Sequence, residues 1–309
     1  MNPNILISGV YVAAITPHRA DGYEADVASM LELVDFLAGA GVNGIALLGS
    51  TGEFLHLTFD ERVRLVQLAV KRSRVPILVG VGHSTLDGAV KLAREAASAG
   101  AAGLLLMPPY FFRYSQEDIA EFYLQFAAAL AGAAPVFLYN IPFFTNQIAP
   151  DTAAALLSTG KFAGIKDSSG EWEYFERLAA LSQQTPFTLL AGNDRIYKRA
   201  RPAGANGIVS GVACAAPELL VALERALAKN LSNDVERLDS CLQEFIHWHD
   251  RFPTPVAIKA AIETRGIKVG PLAIPLAPAG EKRLAEFREW FASWLVQVKR
   301  ESALVLDNA

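Results

Sequence analysis

Cysteine is scarce in this chain. Its 309 residues include only Cys214 and Cys241, with neither a pairing pattern nor metal-ligand spacing around them, which argues against a disulfide framework and a thiolate metal site. A reducing cytoplasm is the expected compartment. Blocks of like charge are missing as well: 28 Lys and Arg oppose 32 Asp and Glu, and the net charge of −4 comes without a basic run. That argues against a nucleic-acid partner and leaves a small-molecule substrate as the default. No apolar stretch approaches the roughly 20 residues that span a bilayer. The opening segment, Met1-Asn2-Pro3-Asn4-Ile5-Leu6-Ile7-Ser8-Gly9, has no basic region and too short an apolar run for a signal peptide. A soluble protein without a membrane partner is expected.

Apolar residues are plentiful, at 52% against 19% charged, enough for a large core. They recur in eight short β-rich runs, at 10–16, 44–48, 76–81, 103–107, 135–140, 162–166, 187–191 and 207–210, each followed by an amphipathic helical pattern. Runs that are apolar on both faces belong to a covered parallel sheet. The echoing segments Ala38-Gly39-Ala40-Gly41, Ala99-Gly100-Ala101-Ala102 and Ala203-Gly204-Ala205-Asn206 each resemble a helix end entering a strand. Eight βα units predict an α/β fold of the closed (β/α)8 TIM-barrel type, since an open doubly wound sheet would hold about six strands. After an eighth helix near 217–229 the pattern becomes helix only, at 233–251, 255–266 and 280–300. The expected division is a catalytic barrel over 1–230 and a three-helix C-terminal appendage over 231–309. Trp248, Trp290, Phe291 and Trp294 fall at helical spacing and are expected in packing or an interface rather than in chemistry.

Within the sixth run, Phe162-Ala163-Gly164-Ile165-Lys166-Asp167, a lysine stands in an otherwise apolar strand. An ammonium held away from water tends to shed its proton, and the neutral amine attacks carbonyls. Lys166 is therefore a candidate Schiff-base lysine; the alternative is a strand-end lysine reaching solvent. Asp167 points to the opposite face and is no ready partner. Active sites of such barrels lie at the C-terminal strand ends, which selects further candidates. Gly49, Ser50 and Thr51, with Gly52 and Glu53, follow strand two and suit a carboxylate cradle, although such a turn also caps helices. Tyr110 and Phe111 belong to an aromatic loop after strand four that serves either as a lid or as a substrate contact. Tyr139 ends strand five, beside Lys166, where a phenol can relay protons. Gly192 and Asp194 follow strand seven, where Asp194 either holds substrate hydroxyls or starts a helix, and Val209 ends strand eight.

Other patterns carry less. Gly39-Ala40-Gly41-Val42-Asn43-Gly44 spells the dinucleotide fingerprint but follows a helix and precedes a strand, the reverse of what that fingerprint requires. His247 and His249 are two apart on a helix and do not share a face for zinc. His18, His56 and His83 are scattered, without a serine or cysteine partner.

Three motifs, Gly49-Ser50-Thr51-Gly52-Glu53, Tyr139-Asn140-Ile141-Pro142 and Gly164-Ile165-Lys166-Asp167, resemble in order and spacing those of the dihydrodipicolinate synthase/N-acetylneuraminate lyase family of class I aldolases. The likeness extends to Pro108-Pro109-Tyr110, Ser115-Gln116-Glu117, Pro253-Thr254-Pro255 and the helical tail. The resemblance implies that Lys166 forms an imine with pyruvate or another 2-oxo acid, that Ser50 and Thr51 bind its carboxylate, and that Tyr139 shuttles protons. It implies no metal or organic cofactor, and a homo-oligomer built as a dimer of dimers. Against the family pattern, Phe111 stands where the synthase branch has a proton-relaying tyrosine, and Phe144 where that branch has an arginine that grips the aldehyde's carboxylate. Asp194-Arg195 replaces the Asp-Glu pair of the sialic acid branch. The expected function is a lysine-imine lyase acting on pyruvate or a 2-keto-3-deoxy sugar acid by aldol chemistry or dehydration. Phe143 and Phe144 suggest a less polar distal pocket, and Arg113 and Arg195 are the cations available for a distal carboxylate. The alternatives are 4-hydroxy-tetrahydrodipicolinate synthase, joining pyruvate to aspartate semialdehyde, and a non-catalytic barrel that binds a 2-oxo acid.

Overall fold

A computed structural model describes residues 7–306. The first six residues, part of the segment expected to lack a signal peptide, and the last three, the end of the expected appendage, lie outside the described residues.

Strands and helices alternate in the order β1 (Gly9–Ala13), α1 (Val27–Gly39), β2 (Gly44–Leu47), α2 (Phe59–Arg72), β3 (Ile77–Gly80), α3 (Leu86–Ala99), β4 (Gly103–Leu106), α4 (Gln116–Leu130), β5 (Val136–Asn140), α5 (Pro150–Ser158), β6 (Gly164–Asp167), α6 (Trp172–Ser182), β7 (Thr188–Ala191), α7 (Tyr197–Ala203) and β8 (Gly207–Ser210). All eight strands pair in parallel, each with the next and β8 with β1, closing the barrel. Every strand residue is buried, because side chains on one face fill the barrel and those on the other meet the helices. Local chemistry sets the helix starts. Thr58 and Glu61 form a capping box at the head of α2, and Ser115 and Asp118 form another at α4.

Except for β8, the strands are shorter than their apolar runs. The run 10–16 keeps only its first residues in β1, and Ala14-Ile15-Thr16 passes into the loop while remaining buried. After β8 come α8 (Val212–Ala215), a single turn too short to leave a periodic pattern, and then α9 (Pro217–Ala228). Three further helices follow: α10 (Ser232–His249), α11 (Val256–Thr264) and α12 (Pro278–Leu306). The last outruns its expected end at residue 300. Its final turns are tied down by Arg237, which pairs with Glu301, and by Arg225, which donates to the Leu306 carbonyl at 3.0 Å.

Helix α12 packs along α9 and α10, while α11 packs on α8 and so reaches the C-terminal mouth of the barrel. The tail aromatics meet each other within the chain. Phe287 is buried, with Phe291 5.8 Å and Trp248 6.0 Å away between ring centroids. Phe287→Ala removes a ring from a close-packed cluster and is expected to cost about 3–5 kcal/mol, read as a lowered midpoint of urea unfolding.

Candidate active site

Strand register assembles the centre of the site. Tyr139 and Lys166 are direct partners across β5 and β6, and so are Asn140 and Asp167 one residue later. Side chains alternate along a strand, so Tyr139 and Lys166 share the inner face while the next pair faces outward. The outward pair is self-contained. Asn140 donates to Asp167 Oδ1 at 2.8 Å, and Ser169 donates to Oδ2 at 2.9 Å. Burial pushes the Asp167 carboxyl above the usual range, opposed by these donors. Lys166 is left without it: only 4% exposed, its ammonium nitrogen lies 4.1 Å from the centre of the Tyr139 ring, and among the described residues no carboxylate pairs with it.

The loop after β2 completes the centre. Leu48 and Glu53 both take left-handed backbone, at φ 57° and 50°, and fold the four residues between them into a tight turn. Gly80 makes room for it, since a Cβ there would stand 2.2 Å from the Leu48 carbonyl oxygen. Gly52 donates to Gly49 at 3.1 Å, Glu53 to Ser50 at 3.1 Å, and the Thr16 hydroxyl to the Gly52 carbonyl at 2.7 Å. Among the described residues, the backbone N–H groups of Ser50 and Thr51 donate to no protein acceptor. Adjacent free N–H groups in a turn form an anion-binding concavity. The Ser50 hydroxyl lies 3.4 Å from the Tyr139 hydroxyl, so the cradle and the phenol adjoin. Thr51 is buried beside Gly211, where an added Cβ would sit 3.6 Å from its Oγ1.

Gly192 has a steric reason to be glycine. A Cβ at that position would lie 2.1 Å from Ser168 Oγ and 2.8 Å from Lys166 Cε. Gly192→Ala is therefore expected to displace the lysine and slow borohydride trapping of pyruvate by about 10- to 100-fold with the fold intact, measured by intact mass against time. The same contact identifies a group that the sequence reading missed. Ser168 is buried, its hydroxyl has no partner among the described residues, and it faces the space beside Lys166. Its position directly after an inward lysine and an outward aspartate was the available signal.

The remaining candidates divide. Val209 is buried in β8, and Tyr110 is half-buried, edge-on to Phe54 at 5.9 Å. Asp194 accepts from the Ser210 hydroxyl, and desolvation raises its carboxyl, so it ties the β7 loop to β8; Asn193, not Asp194, caps the short 3₁₀ turn there. Arg195 pairs with Asp250. Phe111, at φ 76°, is 89% exposed, and Phe144 is exposed too, so this single chain brings neither onto Lys166. Asn146 joins their two loops, donating to Pro109 at 2.6 Å and to Phe112 at 2.8 Å. His18 departs from the expectation of scattered histidines: it is buried, with Nε2 3.9 Å from Glu53, and His56 approaches the same carboxylate at 3.5 Å.

Comparison with known proteins agrees with this fold. The sequence profile of the dihydrodipicolinate synthetase family matches residues 6–292. The 4-hydroxy-tetrahydrodipicolinate synthase of Methanothrix thermoacetophila is 30% identical over 92% of this chain and 96% of its own. An uncharacterised DapA-like lyase of Halobacterium salinarum is 33% identical over 87% of this chain and 88% of its own. Among solved structures, YagE, a prophage protein of the dihydrodipicolinic acid synthase family from E. coli K12 in complex with pyruvate, superposes with a TM-score of 0.86 at 28% identity, covering 95% of this chain and 99% of that one. A match this extensive, on a closed barrel with a buried lysine at the sixth strand, makes the chain a member of the dihydrodipicolinate synthetase family and a lyase.

Proposed function

We propose that this lyase works through an imine between Lys166 and the ketone of pyruvate or a 2-keto-3-deoxy sugar acid, by aldol cleavage or condensation or by dehydration. The observation that carries the reading is the grouping of a buried, carboxylate-free Lys166 against Tyr139, with Ser50 adjoining the phenol and two free N–H groups in the same turn. The amine adds to C2, the carbinolamine loses water, and the protonated imine accepts the electron pair released when a bond to C3 breaks. In the reverse sense the enamine carbon attacks an aldehyde, whose oxygen takes up a proton. The Tyr139 hydroxyl, with Ser50 and Thr51, carries protons at C2 and at that oxygen, and the Ser50-Thr51 turn holds the substrate carboxylate. The reading calls for no metal or organic cofactor and fits a cytoplasmic enzyme. Among the described residues no helix is long and apolar enough to cross a membrane. The exposed Phe111, Phe112, Phe143 and Phe144 around the joined loops favour a homo-oligomer, and the family resemblance implies a dimer of dimers.

A second reading, 4-hydroxy-tetrahydrodipicolinate synthase, has the Methanothrix relative's name in its favour, with Phe111 and Phe144 against it. A panel of aldehydes and 2-keto-3-deoxy acids, assayed for pyruvate uptake or release, separates the two. Turnover with a sugar-type acid or an apolar aldehyde supports the first, and turnover confined to aspartate semialdehyde supports the second. Failure across the whole panel, with pyruvate bound, would leave a non-catalytic barrel.

A further inference from the structure

Beneath the cradle lies a charge cluster that takes no direct part in imine chemistry. Lys259 is fully buried in α11, inside the apolar run Val256-Ala257-Ile258-Lys259-Ala260-Ala261-Ile262, and its ammonium meets Glu53 Oε2 as an ion pair. Burial alone would raise the Glu53 carboxyl, but His18 and Lys259 together hold it below the usual range, while burial lowers the Lys259 amine against the pull of Glu53. A buried pair of this kind contributes little net stability compared with apolar residues in its place, so stability alone does not explain it. Its position does. Glu53 follows Ser50-Thr51-Gly52 directly and takes the left-handed conformation that closes the turn, a conformation costly for a glutamate unless its surroundings over-determine it. Gly211 lies between the same helix and the same turn. A Cβ at Gly211 would lie 3.3 Å from Ile258 Cδ1 and 3.6 Å from Thr51 Oγ1.

We propose that Lys259 is a positioning residue for the substrate: by gripping Glu53 it fixes the turn whose free Ser50 and Thr51 N–H groups bind the 2-oxo acid carboxylate. This rests on the imine reading and extends it, because it gives a helix outside the βα repeats a share in the site. Lys259 touches no substrate, and its loss is felt as affinity rather than as chemistry.

The test is borohydride trapping over a range of pyruvate concentrations, scored by intact mass, for the full chain, for Lys259→Met, and for the paired Glu53→Gln, Lys259→Met variant. The pair removes both charges and keeps the protein measurable if the single variant leaves Glu53 buried and unpaired. The expected result is that Lys259→Met, or the pair if the single variant does not fold, needs about tenfold more pyruvate for half-maximal adduct while the saturating rate stays within about threefold. The pair is further expected to melt near the parent while keeping the raised pyruvate requirement. A parent-like requirement in whichever variants fold would overturn the role of Lys259 and leave the imine reading standing. No adduct in the parent at any concentration would overturn the imine reading and this inference with it.

Discussion

Lys166→Ala is expected to form no reducible adduct with pyruvate and to turn over at least about 10⁴-fold more slowly than the parent, because the covalent step is lost with its amine. The fold should survive. The lysine is buried beside the Tyr139 ring, and among the described residues no carboxylate pairs with it, so its removal breaks no ion pair and opens space beside Tyr139 and Gly192. Calorimetry should show a melting temperature near that of the parent, while reduction with pyruvate leaves the mass unchanged. A variant that retains half of the parent's turnover would remove Lys166 from the mechanism.

Tyr139→Phe is expected to separate binding from catalysis. The ring that packs against the lysine remains, and the free N–H groups of the cradle are untouched, so pyruvate affinity should stay within about threefold of the parent. The hydroxyl that meets Ser50 at 3.4 Å is lost, and with it the proton route between substrate and turn. Turnover should fall by about 10²- to 10⁴-fold, the usual range for a positioned proton carrier. Stopped-flow imine formation set against steady-state turnover measures the two quantities in one protein. Equal turnover in the variant would assign proton transfer to another group, such as the adjoining Ser50 hydroxyl or the buried Ser168 hydroxyl, which has no partner among the described residues.

Much of this arrangement is legible in the chain because it is written in short-range patterns. Eight apolar runs alternating with helices leave few ways to cover a parallel sheet, and a lysine in one of them stands out against its neighbours. Tyr139 follows, since consecutive parallel strands pair and the two motifs end at the same level of the barrel. What escapes has its cause far along the chain. Lys259 gives the same signal as Lys166, a lysine in an apolar run, but nothing in local periodicity joins residue 259 to residue 53, and helical spacing offers packing as a sufficient reason for the segment. His18 looks isolated for the same reason until Glu53 is folded beneath it. Asp194 and Arg195 look available in the sequence, and Ser210 and Asp250 engage them in space. Phe111 and Phe144 lie on loops that leave both rings exposed among the described residues, and local patterning does not show what such rings meet.

The measurement that bears most directly on the central claim is peptide mapping of the chain after reduction with borohydride in the presence of pyruvate. Among the described residues two lysines are buried, with opposite surroundings: Lys166 beside a phenol with no carboxylate partner, Lys259 held by Glu53. One reduced pyruvate per chain, on the peptide that carries Lys166, is the result expected. An adduct on Lys259 or on a surface amine, or no covalent product from protein that binds pyruvate, would contradict it.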